Sequence, residues 1–223
     1  MLSRISTIRE HIQTVIHHND SAPALDALIQ QELTTLCSSF PIERGAAAEA
    51  LPLFIQRYIE SAADYLEVFV DMSHLARLEA YTKPLLQQAE NYFFEPPAVI
   101  AHNISAIKQL LAQAYLCHRL LEELNDQVAT LRGLVLAPTD ITDSNIIIHT
   151  LLGDELANTL DQAILIQLEL AVPNTVIFNS NTVQQLTLMR QQQGWQEIKE
   201  RWPCLNEEVM MLLSLENFLG PRF

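Results

Sequence analysis

Residues 107–131 read IKQLLAQAYLCHRLLEELNDQVATL, and their apolar side chains recur at the spacing of an α-helix. The steps between these positions alternate between three and four residues, which is typical of the seam of a coiled coil. Upstream, Pro96 and Pro97 end the preceding helix. We therefore predict one long helix over residues 97–132. Its seam consists of Ile107, Leu110, Ala114, Cys117, Leu121, Leu124, Val128 and Leu131.

A second seam follows a connector over residues 133–144, in which Thr142 or Asp143 provides a helix cap. The predicted helix covers residues 144–171, and Pro173 ends it. Two long helices joined by a short connector are expected to pack antiparallel. The second seam consists of His149, Leu152, Leu156, Thr159, Ala163, Ile166 and Leu170.

The remaining chain also has helical patterns, so the predicted fold is an all-α helical bundle with a short helical C-terminal cap. We expect one domain over residues 1–223, with a possible subdivision into 1–95 and 97–223. The N-terminal helices are predicted at 3–18, at 21–40 and over a long region 43–95 with kinks near Pro52 and Pro84. After a brief β-like run at 175–178, the cap helices are predicted at 181–193, 195–202 and 204–218.

The composition excludes several classes of protein. The chain has 223 residues, 49% of them hydrophobic, and only 5 glycines, which stand far apart. No GxGxxG, P-loop or GxSxG motif occurs, so a loop that cradles phosphate is not expected. Cys37, Cys117 and Cys204 form no CxxC pair, which indicates reduced thiols rather than a metal or redox motif. The sequence therefore contains no catalytic motif and predicts no cofactor.

The charge and the N-terminus bear on partners and location. Lys+Arg 13 against Asp+Glu 27 gives a net charge of −14, and the basic residues are scattered. An acidic chain without a basic patch is not expected to bind nucleic acid or an anionic membrane surface. The first residues lack a continuous apolar run, and no stretch is long enough to span a bilayer. We therefore predict a soluble cytoplasmic protein.

Carboxylates and histidines at helical spacing raise the possibility of a metal site. Glu67, Asp71 and His74 resemble half of a di-metal bundle site, but the second carboxylate-x-x-His motif is missing. In the predicted antiparallel hairpin, Glu122 lies opposite Glu155, so the two carboxylates could converge on a divalent cation. The structural interpretation, a solvated or helix-pairing stripe without metal, is preferred.

Two further histidines have predicted positions. His118 falls beside the seam and Glu122 one turn later on the outside, so we expect a rim ion pair rather than a catalytic dyad. His149 falls in the second seam and is expected to be buried, neutral and hydrogen-bonded to a connector group such as Thr142.

The C-terminal region carries an aromatic stripe that suggests a partner-binding surface, although it could also fold onto the bundle as core. The stripe consists of Trp195, Ile198, Trp202 and Leu205. The leading hypothesis is therefore a protein that acts through protein–protein interaction or regulation, with a protein partner or self-association, including a possible homodimer.

The alternative hypothesis is a helical bundle that binds a metal or a small hydrophobic ligand, one form of which is an enzyme with a carboxylate/His site. An apolar pocket for such a ligand could be lined by an aromatic stripe, although stripes of this kind are more often core. It consists of Phe54, Tyr58, Tyr65 and Phe69.

Overall fold

The structure is a computed structural model, which describes residues 2–40, 43–100, 104–133, 135–137 and 141–171. Throughout these residues the regular secondary structure is α-helical, which confirms the predicted all-α class. The described helices are α1 (Leu2–Ile16), α2 (Ser21–Ser39), α3 (Arg44–Leu75), α4 (Glu79–Phe94), α5 (Ala106–Arg132), α6 (Thr142–Leu152) and α7 (Asp154–Ala171).

The first two helices follow their predicted patterns. Ile5, Ile8 and Ile12 lie on one face of α1 and are buried in the core. The second helix begins at Ser21 and has Pro23 in its first turn, where the missing N–H of proline breaks no intrahelical hydrogen bond. Hydrophobic periodicity and helix-start residues therefore placed α1 and α2 within a few residues of their ends.

The predicted long region 43–95 is two helices, α3 and α4, and the break is at neither proline. Pro52 and Pro84 both lie inside helices. Instead α3 ends in a Schellman motif, in which the Leu78 N–H donates to the Ser73 carbonyl at 2.8 Å. Arg77 adopts φ 56° in this motif, a position that is usually glycine. Because arginine stands where glycine is usual, the sequence does not reveal that the helix ends here.

The seam-bearing helix α5 is the centre of the molecule. It contacts each of the other six described helices. It begins at Ala106 rather than residue 97, and the Ser105 side chain caps it by accepting a hydrogen bond from the Lys108 N–H at 3.3 Å. Buried residues lie on all sides of the helix, not only along the predicted seam, whose last member Leu131 is exposed. The coiled-coil interpretation assumed one buried face and therefore underestimated how many residues of α5 are buried.

The predicted second helix, 144–171, is interrupted at Gly153. This residue adopts φ 86° and ψ 142°, so α6 ends there and α7 begins with a new helical phase. In α7 the buried positions are Ala157, Leu160, Ile164 and Leu168, whereas Ile166 and Leu170 of the predicted seam are exposed. The prediction of two long antiparallel helices is therefore not confirmed in this detail.

Replacing Gly153 by alanine is expected to lower the free energy of unfolding by about 2 kcal/mol, because a Cβ is strained at this backbone conformation. Gly45 provides the matched control. It lies in the first turn of α3, has no neighbour that an added Cβ would meet and has no positive φ. There Gly45→Ala should stabilise by about 0.5 kcal/mol through a less flexible unfolded chain. Urea unfolding of both variants tests this; equal effects would contradict it.

Asn125 of α5 anchors part of the connector between α5 and α6. Its Oδ1 accepts hydrogen bonds from the Leu136 N–H at 2.8 Å and the Ala137 N–H at 3.0 Å, and its Nδ2 donates to the Ala137 carbonyl at 3.0 Å. Asn125 is itself buried. Both backbone N–H groups and the Ala137 carbonyl are thereby hydrogen-bonded inside the protein.

The sequence predictions for the C-terminal region, including the run at 175–178, the cap helices, the Trp195 and Trp202 stripe and Cys204, lie outside the described residues. In the ranges that the structure describes, no helix has the combination of length and apolarity needed to cross a lipid bilayer.

Candidate functional site

A cleft with both polar and apolar wall groups lies between α5, α6 and α7 and has a volume of about 380 Å³. One helix of its wall, α5, contacts each of the other six described helices. The cleft combines charged, hydroxyl, amide, aromatic and aliphatic groups. Its lining residues are Tyr115, Arg119, Glu122, Thr142, Asn145, Ile146, His149 and Asp161.

Arg119 is the central charged group of the cleft. Its guanidinium forms ion pairs with Glu122, with Glu123 at 3.0 Å and with Asp161 at 3.3 Å. Burial by itself would lower the pKa of Arg119, but the neighbouring carboxylates outweigh it and raise that pKa above its ordinary value. The guanidinium is therefore a permanent cation that holds α5 and α7 together.

Glu122 is fixed from the α6 side of the cleft as well. Its Oε1 accepts a hydrogen bond from the Thr142 hydroxyl at 2.5 Å, and its Oε2 accepts one from the Asn145 amide at 2.8 Å. Asn145 is buried and accepts in turn from the Tyr58 hydroxyl at 2.6 Å. Burial raises the pKa of Tyr58, so this hydroxyl remains a donor. The Glu122 carboxylate is consequently held in one orientation.

Asp161 occupies the α7 side of the cleft. Its Oδ1 accepts a hydrogen bond from the Tyr115 hydroxyl at 2.9 Å, and its Oδ2 lies 3.7 Å from His149 Nε2. Burial, together with the charge of Asp161, raises the pKa of Tyr115. The ring of His149 lies 6.3 Å from the Tyr115 ring, and its Nε2 lies 3.3 Å from Asn158 Oδ1. The cleft therefore places a carboxylate, an imidazole and a phenol side by side.

Behind the cleft, His118 is enclosed in the core between two tyrosine rings. The Tyr58 ring centroid lies 4.3 Å away, and the Tyr65 ring meets His118 edge-on at 4.8 Å. His118 Nε2 lies 2.9 Å from the Tyr58 carbonyl oxygen and therefore donates to it, whereas the buried Nδ1 has no hydrogen-bond partner among the described residues. Burial lowers the pKa of His118 to about 4, which keeps the ring neutral at physiological pH.

The carboxylates and the histidine predicted as half of a metal site do not converge. Glu67 forms an ion pair with Arg9 at 2.5 Å, His74 lies 2.7 Å from Glu79, and Asp71 is exposed. No group of three or more His, Cys, Asp and Glu side chains in the described ranges is arranged to hold a metal ion.

The predicted partner carboxylates Glu122 and Glu155 also have different surroundings. Glu122 lines the cleft, whereas Glu155 is exposed in the first turn of α7 and is not part of the cleft wall. The break at Gly153 gives α7 a different phase from the one assumed in the predicted pairing. The structure therefore does not bring these two carboxylates together as the hairpin register suggested.

Two histidine predictions were wrong. His118 is fully buried and does not form a rim ion pair with Glu122, because α5 is surrounded on all sides rather than on one face. His149 is partly exposed at the cleft, and Thr142 hydrogen-bonds to Glu122 rather than to His149. Both errors come from placing these residues by heptad position alone.

The aromatic stripe on α3 is core, as the preferred interpretation held. Its four side chains, Phe54, Tyr58, Tyr65 and Phe69, are all buried within the hydrophobic core.

Comparison with protein-family models, curated proteins and solved structures yields no match.

Sequence reasoning did not identify Arg119, Asn145 and Asp161 as site residues. The spacing of Arg119 to Glu122 and Glu123, three and four residues, was a visible sign of an ion-pair cluster on one helix face. For Asp161 and Asn145 no comparable signal existed, because their partners lie 42 and 87 positions away in the chain.

Proposed function

We propose that this protein binds a small polar molecule in the cleft between α5, α6 and α7. The observation that carries the proposal is a concave site of about 380 Å³ whose wall contains charged, hydroxyl, amide and imidazole side chains. Known ligand sites have volumes of about 300–1,000 Å³ and place a few polar groups among apolar ones. This cleft has both the size and the mixed lining of such a site.

The fixed orientation of the cleft's polar groups supports the proposal. Glu122 is held by Arg119, Thr142 and Asn145, and Asp161 is held by Arg119 and Tyr115. Side chains that are already ordered lose little conformational entropy when a ligand arrives, which favours binding. The cleft wall is also connected to the core, because the buried Tyr58 hydroxyl donates a hydrogen bond to Asn145.

Two earlier hypotheses have less support than the cleft. The metal alternative lacks a suitable group of three ligating side chains among the described residues. The interaction hypothesis depends on Trp195, Ile198, Trp202 and Leu205, which lie outside the described residues, and it stays a prediction. The small-ligand alternative is the one that the described geometry supports, with a polar rather than a hydrophobic ligand.

Filling the cleft with a large side chain is expected to weaken ligand binding strongly. Ile146 lines the cleft and is 48% exposed, so Ile146→Trp should occupy the cleft without disturbing the core. Ligand-observed NMR with a fragment library holding equal numbers of cationic, neutral and anionic members provides the measurement. We expect fragments that bind the wild type to lose at least about tenfold in affinity, or about 1.4 kcal/mol.

Leu165→Trp is the matched control for this experiment. Leu165 is also 48% exposed, but it lies on α7 and does not line the cleft. Fragments that bind in the cleft should keep their affinity for this variant. A library whose hits respond equally to both tryptophan substitutions, or which yields no hits, would refute the proposed binding function.

A further inference from the structure

We infer that the ligand of the cleft is a small organic cation, such as an alkylammonium ion, seated beside Asp161 with its apolar part toward Tyr115 and Ile146. This inference rests on the proposed binding function and specifies its ligand class. It is carried by the charge balance around Arg119, by one open carboxylate oxygen and by the aromatic and aliphatic groups in the lining.

The charge balance around Arg119 disfavours an anionic ligand. One guanidinium faces three carboxylates, Glu122, Glu123 and Asp161, which leaves two negative charges in excess. An incoming anion would have to compete with these three carboxylates for the same guanidinium, whereas a cation would reduce the excess negative charge.

An open hydrogen-bond acceptor gives the cation a place to sit. In the described part of the chain no hydrogen bond to Asp161 Oδ2 is found, and His149 Nε2 lies 3.7 Å from this oxygen, beyond hydrogen-bond distance. The other oxygen, Oδ1, already accepts from Tyr115 and Arg119. An ammonium group has three N–H donors and no acceptor, so it matches an unoccupied carboxylate oxygen.

The remaining lining favours an organic cation over a metal ion. The Tyr115 ring and the Ile146 side chain provide apolar surface next to Asp161. An alkyl chain can bury itself against such groups while its charged end meets the carboxylate. A divalent metal would instead need several oxygen or nitrogen ligands around one point, and the described residues do not provide that arrangement.

The test compares three compounds of similar size and different charge on the full-length protein. NMR titrations with n-butylammonium, n-butanol and butyrate measure the dissociation constant for each, and Mg²⁺ serves as an inorganic cation. We expect n-butylammonium to bind at least about tenfold more tightly than the other two compounds, with Mg²⁺ at millimolar concentration failing to displace it. The preference should weaken as salt concentration rises.

A pair of isosteric variants locates the cation. Asp161→Asn removes one charge from the cleft but retains an oxygen for the Tyr115 hydroxyl, and it should weaken n-butylammonium binding by about tenfold. Asp154→Asn removes one charge from a 90% exposed carboxylate on the same helix and should change binding by less than about twofold. Thermal unfolding of both variants checks that the fold persists.

The outcomes separate this inference from the proposed function. Cleft binding of n-butanol or butyrate as tight as that of n-butylammonium, still lost in Ile146→Trp, would overturn the organic cation and leave the binding function standing. Displacement of n-butylammonium by Mg²⁺ would overturn the organic class in favour of an inorganic ion. Library fragments that respond equally to Ile146→Trp and Leu165→Trp would overturn both proposals.

Discussion

Arg119→Met is expected to lower the free energy of unfolding by about 3 kcal/mol, because it leaves partly buried carboxylates without their cation. The side chain of Arg119 is 24% exposed and joins Glu122 and Glu123 of α5 to Asp161 of α7. Methionine preserves most of the aliphatic volume, so the loss reports on charge and hydrogen bonding rather than on a cavity. Urea unfolding at neutral pH measures the effect.

Arg9→Met provides a matched control on α1. Arg9 also pairs with two carboxylates, Asp64 at 2.8 Å and Glu67 at 2.5 Å, but it is 40% exposed. Water solvates these groups when the arginine is removed, so the expected loss is below about 1 kcal/mol. Similar losses for both variants would show that burial does not increase the contribution of the Arg119 ion pairs to the free energy of unfolding.

A combined variant tests the cause of the Arg119 effect. If unpaired negative charge is responsible, neutralising the two cleft carboxylates in the Arg119→Met background should recover part of the lost stability. The substitutions are Glu122→Gln and Asp161→Asn, which keep the shape of each side chain while an amide N–H₂ group replaces one acceptor oxygen. A triple variant no more stable than Arg119→Met alone would contradict this explanation.

The stability of the protein should fall by about 3 kcal/mol between pH 7 and pH 4 through His118 alone. Burial lowers the pKa of this residue to about 4 in the folded state, against an ordinary value of 6.5. Between these two values the unfolded chain binds a proton that the folded chain does not. The contribution of His118 is therefore fully present above pH 6.5 and is lost as the pH falls toward 4.

His118→Gln should remove this part of the pH dependence, because glutamine does not titrate in the same range. The free energy of unfolding is measured by urea denaturation at several pH values, and the difference between wild type and variant isolates His118. That difference is needed because Glu90 also changes the pH dependence of stability. Burial raises the pKa of Glu90, and Arg4 offsets part of this rise. A raised carboxyl pKa makes the folded state more stable as the pH falls, which is opposite to the effect of His118.

His17→Gln is the control for the His118 measurement, since His17 is exposed in the turn that follows α1. It should leave the slope of stability against pH close to that of the wild type. A wild-type slope that persists in His118→Gln would show that the histidine enclosed by Tyr58 and Tyr65 is not its source.

Several parts of the fold were predictable because they depend on local sequence. The buried isoleucines of α1 lie at helical spacing, and α2 has Pro23 in its first turn. The breaks between α3 and α4 and between α6 and α7 were harder to predict from the sequence. Arg77 takes a left-handed conformation that usually belongs to glycine, and a single glycine at position 153 was insufficient evidence against a strong hydrophobic period.

The cleft was predictable only in part. Glu122 was singled out from the sequence, and Arg119 stands three residues before it on the same helix. The residues that complete the site come from α6 and α7, and their contribution depends on how those helices pack against α5. The alternating three-and-four spacing in α5 indicated a buried face but could not indicate that residues outside this face, such as His118, are buried as well.

The sequence by itself determined the all-α class, the buried apolar face of α5 and the absence of phosphate-loop motifs, because these follow from residue type and spacing along the chain. Only the tertiary structure decided that His118 is enclosed and neutral, and that Arg119, Glu122 and Asp161 meet in one cleft. Burial and ion pairing depend on which helices surround a residue, and helical periodicity gives the direction of a side chain without naming its neighbours.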